Sequence, residues 1–236
     1  MDVAPGLQQL LGLDVTPVAV AVVDELPADV ARVDESAAAG CGYWKRAAQG
    51  EVFATVAVDH FGCPIGAYTH GVELPVAEAE QQQTMIDMMV ELEYVRRDEV
   101  PEIPHHSEGF GAVVYSPIDQ APCPIDAVVV QGTPRQMMIL VEAANAAGLV
   151  AGQAAGRPTC AAIPEVMQEG RFVTNLGCIG NRVYTGIADD QLYVVLPGDR
   201  VNDVHDKLSV IVNANSRLEA YHGDRLQCCR DSTNDD

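Results

Sequence analysis

Two segments of this chain follow one pattern, and that repetition is the strongest constraint on how it can fold. The first runs from Cys41 through Gly50, Phe53 and Thr55 to Gly62-Cys63 and Gly66; the second runs from Cys160 through Gly170, Phe172 and Thr174 to Gly177-Cys178 and Gly180. Each reads as a cysteine, a short helix, a glycine, a strand and a Gly-Cys pair. An apolar strand precedes each copy, over residues 17–23 and 125–130. A strand–helix unit used twice must bury both apolar faces in a shared core, so two related halves are expected. A unit that delivers two thiols per copy can also place four around one point.

Hydrophobic periodicity fills in the rest. Residues 1–13 read as an amphipathic helix with Leu7, Leu10 and Leu11 on one face, and residues 43–49 as a short helix closed by Gly50. Strands are expected at 52–58, 111–115, 126–130, 171–175 and 191–196, and an irregular glycine-rich loop at 60–70. The longest helical pattern, 76–97, carries Met85, Met88, Met89 and Leu92 as a stripe suited to core or a helix–helix interface, with Glu78 and Glu80 in its first turn and Arg96 and Arg97 in its last. Pro101 and Pro104 stop it. Thr133 as N-cap and Pro134 at the first helical position start a helix over 135–147. Residues 148–157 form a small-residue connection, and 201–221 a closing helix with Leu208, Ile211, Val212 and Leu218 inward. The expected fold is α/β or α+β: a single domain over residues 1–226, with repeat halves at about 14–70 and 123–182, and an acidic, mobile tail at 227–236.

Charge narrows the function classes. With 34 acidic against 14 basic residues the formal net charge is −20, which repels phosphate backbones and anionic membranes and argues against nucleic acid as a partner. No apolar run approaches the roughly 20 residues of a membrane helix, and residues 1–12 lack the pattern of a secretory signal, so a cytoplasmic location is expected. In a reducing compartment seven cysteines point to thiols or metal ligands rather than structural disulfides. A homodimer is the expected assembly, because homodimers are common.

Cys41, Cys63, Cys160 and Cys178 are the candidate metal ligands. Thiolates suit iron–sulfur clusters and zinc, and four complete either kind of site. The leading expectation is an iron–sulfur cluster, [4Fe–4S], with zinc as the alternative cofactor. It would serve electron transfer with a redox partner, or chemistry on a small-molecule substrate. Neither copy contains Cys-x-x-Cys, so the case rests on the duplication. Other readings stay open at this point: four small buried hydrophobes, disulfides Cys41–Cys63 or Cys160–Cys178, and a thiol enzyme with one activated cysteine. Cys123 and the Cys228-Cys229 pair lie outside the repeat. His60 and His70 flank Cys63, and either could replace a thiolate; His105-His106 is expected to face solvent. Arg182 and His60 are the candidate ligand-binding residues, and Arg182, with its planar fork, could bind a carboxylate or phosphate. Together with the helix that begins near Pro134, it would make a metal-free module for a small anion. No P-loop, dinucleotide fingerprint, zinc-protease or Gly-x-Ser-x-Gly motif is present.

At these residues the chain resembles domain-of-unknown-function family 169, a group of bacterial and archaeal proteins. The resemblance lies in the Pro17-Val18-Ala19-Val20 strand, Cys41, Cys63, the strand and turn over 126–134, and Cys160. It continues through Gly177-Cys178-Ile179-Gly180-Asn181-Arg182 and Leu196-Pro197-Gly198-Asp199-Arg200 to the terminal helix. It covers most of residues 5–222, and the glycine–cysteine–arginine segment is its most specific part. The family implies no settled activity. It does imply that the four cysteines belong to one functional pattern.

Overall fold

A computed structural model describes residues 3–107, 109–153 and 156–233. Residues 1–2, at the start of the expected first helix, two positions of the 148–157 connection and the end of the expected tail, 234–236, lie outside the described residues.

The chain builds one six-stranded antiparallel sheet: β1 (Val18–Val23), β2 (Phe53–Thr55), β3 (Ala112–Pro117), β4 (Ala127–Gly132), β5 (Val173–Asn175) and β6 (Leu192–Pro197). Their spatial order is β2-β3-β1-β4-β6-β5. Matching β1, β2 and β3 to β4, β5 and β6 makes that order read the same from either edge. The two halves therefore meet at the central β1–β4 pair, where Val18 faces Val129 and Val20 faces Ala127. This is the mixed α/β-type single domain of two related halves that the repeat implies.

Side-chain alternation divides the strands between two faces. Val18, Val20, Tyr115, Val129 and Val195 point to one face, beneath helices α2 (Cys41–Ala48) and α6 (Ala162–Glu169). Ala19, Val128, Val130, Val194 and Leu196 point to the other, beneath α1 (Val3–Leu11), α5 (Pro134–Ala146) and α8 (Val201–Thr233). The Thr133 hydroxyl accepts from the Gln136 N–H, and the Gln136 carboxamide accepts from the Thr133 N–H, so α5 begins where the sequence predicts.

Three expectations need correction. Residues 60–70 are not all irregular: helix α3 (Pro64–Thr69) starts directly after Cys63, because Pro64 is preorganised for the first helical position. The long helix α4 is Val76–Glu91 and ends before Arg96; a 3-10 turn at Arg97–Glu102 follows it, and no residue of α4 is fully buried. The closing helix continues past residue 221 to Thr233, and Leu218, expected to face inward, is exposed on it. Among the described residues no helix is long and apolar enough to cross a membrane.

Three buried polar side chains, Asp59, His60 and His70, lie near α2. Asp59 is 1% exposed and accepts from Arg32 (3.0 and 2.7 Å), Ser36 Oγ (3.1 Å) and the Val56 N–H (2.8 Å). The Tyr43 hydroxyl donates to the Asp59 carbonyl at 2.7 Å. Burial raises the Asp59 pKa, yet its donors outweigh that and hold the carboxyl below its usual range. Beside it, His60 and His70 are buried with ring centroids 4.9 Å apart. His60 Nε2 meets Thr55 Oγ1 at 2.9 Å, and His70 Nδ1 meets the Gly66 carbonyl at 2.8 Å. Burial holds both rings neutral, with pKa lowered to about 3 for His60 and about 4 for His70.

Removing the buried Asp59 carboxylate takes a shared acceptor from the exposed Arg32 and Ser36 side chains and from the Val56 N–H. Asp59→Ala is expected to destabilise the fold, read as a lower urea midpoint at pH 7. The histidines set an acid limit. Well above pH 6.5, where ordinary imidazoles titrate, both the unfolded chain and the fold hold these rings neutral and nothing is lost. As pH falls from 6.5 toward 4 only the unfolded chain takes up those protons, and stability drops. The urea midpoint should fall across that window, and His60→Gln should flatten the slope; an unchanged slope would refute this assignment.

Candidate functional site: a four-cysteine floor beneath an inserted wall

Each half places its two cysteines at the same structural positions. Cys41 opens α2, and its counterpart Cys160 sits in the 3-10 turn Thr159–Ala161 that leads into α6. Cys63 is the N-cap of α3, and Cys178 is the N-cap of α7 (Ile179–Thr185). The helices then cross between halves: α7 packs on α2, and α3 on the turn that holds Cys160. That exchange brings all four cysteines to the lining of one chamber of about 1230 Å³.

Local sequence makes room for the sulfurs. A Cβ at Gly66 would stand 3.0 Å from Cys63 Sγ. Gly177, before Cys178, has φ +78°, a conformation that favours glycine. Counted from the helix starts, the partner of Gly66 is Asn181 rather than Gly180. The Asn181 N–H donates to Cys178 Sγ at 3.5 Å, and its side chain is buried against Cys41. Among the described residues neither polar atom of that side chain has a close hydrogen-bond partner, and the Cys41 thiol and the Tyr193 hydroxyl are its polar neighbours. In the other half the Thr69 hydroxyl faces Cys160.

Cys41 and Cys160 are buried, whereas Cys63 and Cys178 are half-buried. Burial pushes the Cys41 thiol up to about 12; the Asn181 side chain opposes this, and the nearby Cys63 and Cys178 add to the rise. Burial raises Cys160 still further, with Cys63 adding to the rise and Thr69 opposing it. Neither is a thiolate at neutral pH, which counts against either as an activated nucleophile. None of the four is in a disulfide. Among the described residues no group of three or more His, Cys, Asp or Glu side chains is arranged to hold a metal ion. The thiols line the chamber without closing on one point.

The other singled-out residues are placed elsewhere. Arg182 donates to the backbone carbonyls of Ala188 (3.0 Å), Leu176 (2.6 Å) and Gln191 (3.2 Å), bracing the turn into β6. It does not line the chamber, and neither does His60. The α5 N-terminus is closed by its own capping pair. The expectation that His105-His106 faces solvent is corrected. His105 lines the chamber and its ring lies 4.7 Å from Tyr68, while the His106 N–H donates to the Thr69 carbonyl at 3.0 Å. Cys123 packs beside the cluster of Ala21, Val30 and Ala54, and Cys228 and Cys229 are exposed on α8.

Sequence reasoning missed Asn181 and Thr69, whose partners lie in the opposite half. It also missed the chamber's wall. Between α3 and β3 the first half carries residues 70–111, whereas between α7 and β6 the second has only 186–191. The longer segment supplies Met85, Ile86, Met89, Tyr94 and Ile103 to the lining. Unequal spacing within the repeat was the available signal.

In the reduced, metal-free chain, iodoacetamide should alkylate the half-buried Cys63 and Cys178 about tenfold or more faster than the buried Cys41 and Cys160, followed by mass spectrometry of peptides. Equal rates at all four would contradict the burial described above.

No curated protein and no solved structure matches this chain. A model of the DUF169 family, described as uncharacterised ArCR, matches residues 6–207. The repeat, both cysteine pairs and the sheet that joins them fall inside that match, and the chain belongs to the DUF169 family.

Proposed function

We propose that Cys41, Cys63, Cys160 and Cys178 are the ligands of an iron–sulfur cluster, [4Fe–4S], with zinc as the alternative occupant. One observation carries this reading: four thiols from equivalent positions of two halves line a single chamber. The donor set is soft and complete for a cluster or for zinc. The peptide N–H on Cys178 Sγ, with Asn181 beside Cys41 and Thr69 beside Cys160, provides hydrogen bonding of the kind that tunes cluster sulfurs. Coordination requires the sulfurs to stand closer together than they do here, and the half-buried Cys63 and Cys178 have the most room to move.

A cluster there would supply one-electron chemistry, serving a redox partner or a small molecule in the chamber. The chain's own residues would hold the ligands, shield them from water and offer the hydrogen bonds. A metal-free anion module built on Arg182 has less support, since that guanidinium is spent on the carbonyls of Ala188, Leu176 and Gln191.

Anaerobic purification with iron, sulfide and zinc analysis tests the proposal. The expected result is a brown protein with about four irons and four acid-labile sulfides per chain. Each of the four Cys→Ala variants should lose or convert the cluster. Stoichiometric zinc without sulfide would select the alternative. No metal after reconstitution, or unchanged iron in all four variants, would overturn both. Thiols this protonated must release protons on binding, so metal affinity should rise with pH, measurable by zinc competition against a chromogenic chelator.

A further inference from the structure

The wall over the thiols is unlike the rest of the fold. Helix α4 spans sixteen residues without burying one fully, although Met85, Ile86 and Met89 point toward the chamber. A helix gains little stability from propensity alone and normally rests on an apolar face. Here the apolar side of α4 meets open space instead of core. The wall is tied down at its edges: the Gln82 carboxamide donates to the Pro64 carbonyl at 2.7 Å, the Tyr68 hydroxyl to the Val100 carbonyl at 3.2 Å, and Gln168 to the His105 carbonyl at 2.7 Å. The space is thus spanned by the fold rather than left by loose packing. Its volume of about 1230 Å³ exceeds the roughly 300–1,000 Å³ of typical small-molecule sites.

Charge selects among occupants. Arg157 is bound to Glu99 at 2.9 Å and lies over the Tyr94 ring at 4.7 Å; Arg171 stands 3.9 Å from Glu169. Glu165 accepts from the Gln153 N–H, and Glu102 is exposed at the rim. Arg157 is taken up by Glu99, Arg171 stands among acids at the edge, and the overall charge of −20 adds to the barrier against an anion. What the chamber does offer is thioether, branched aliphatic and aromatic surface above weakly polar thiols.

We propose that this chamber is the binding site of an uncharged, largely apolar organic molecule of cofactor size, covered by the inserted segment and resting on the cysteine floor. The inference goes beyond the metal reading and does not depend on it, since the wall and its apolar lining exist whether or not the thiols hold a metal.

The probe is Nile red, an uncharged apolar dye, titrated into the full chain both as purified and after metal removal, with the anionic dye ANS in parallel. The expected result is saturable, blue-shifted emission at about one dye per chain, weak ANS binding, and at least about tenfold weaker Nile red binding in the Met85→Glu/Met89→Glu variant, because two acids would then be desolvated by the dye. A second readout uses the native chain: bound dye should slow alkylation of Cys63 and Cys178 severalfold, which covers the case where the variant misfolds. Absent saturable binding, ANS binding as tight as Nile red, or unchanged alkylation with dye bound would each overturn the proposal. Binding by a metal-free chain would uphold it even where the metal reading fails, and a cluster-bearing chain that ignores the dye would do the reverse.

Discussion

Val18 with Val129, Ala19 with Val128 and Val20 with Ala127 pair antiparallel at the middle of the sheet. Through these pairs each half of the chain finds the other. The Val22 N–H donates to the Asp126 carboxylate at 2.7 Å, and the Asp126 N–H to the Val20 carbonyl at 2.9 Å, tying the two strands together just beyond their last pair. Because the side-chain period of a strand is two, the register at this seam decides which residues of both halves share a face. In the observed register Val18, Val20, Ala127 and Val129 lie under α2 and α6 together. A slip of one residue in either strand would send one half's helices, with their cysteines, to the opposite side. The common floor of thiols is therefore a consequence of strand pairing far beneath it.

Helix exchange completes what the seam begins. Each half contributes its N-capping cysteine to the neighbourhood of the other half's buried one: α7 lies on α2, and α3 on the turn before α6. Neither half alone could assemble the site. The same crossing explains the protonation of the floor. Cys41 and Cys160 sit where four helical segments converge over the sheet, and burial among them, more than any neighbouring charge, keeps them as thiols.

The parts of this arrangement that were readable from sequence are those encoded locally. Apolar runs gave all six strands to within a few residues, Thr133 and Pro134 gave the start of α5, and the matched spacing of cysteine, glycine and Phe-x-Thr gave the duplication. What escaped was set by contacts distant in the chain. Asn181 looks like any helix-start asparagine until α7 is laid against Cys41. His60 and His70 stand in a segment that looks polar, yet they are buried because Tyr43, Phe110 and each other's rings enclose them. The methionine pattern of α4 has the period of a core helix, and periodicity reports which side is apolar without saying whether that side meets protein or a cavity.

That last ambiguity bears on how the duplicated fold could acquire a specialised site. A symmetric pair of halves would present two equivalent rims above the thiols. Here one half crosses from its short helix to its third strand through residues 186–191, while the other makes the same crossing through residues 70–111. The seam and the helix exchange remain related by the repeat, so the sheet and the thiol floor are shared equally. The insertion breaks the equivalence above that floor, and within it Gly66 lacks the side chain that Asn181 presents in the other half. Symmetric scaffolding thus fixes the four sulfurs, and one asymmetric segment determines what can approach them. Substitutions in the seam and substitutions in the wall should accordingly act on different properties: the first on whether the floor exists, the second on which molecules reach it.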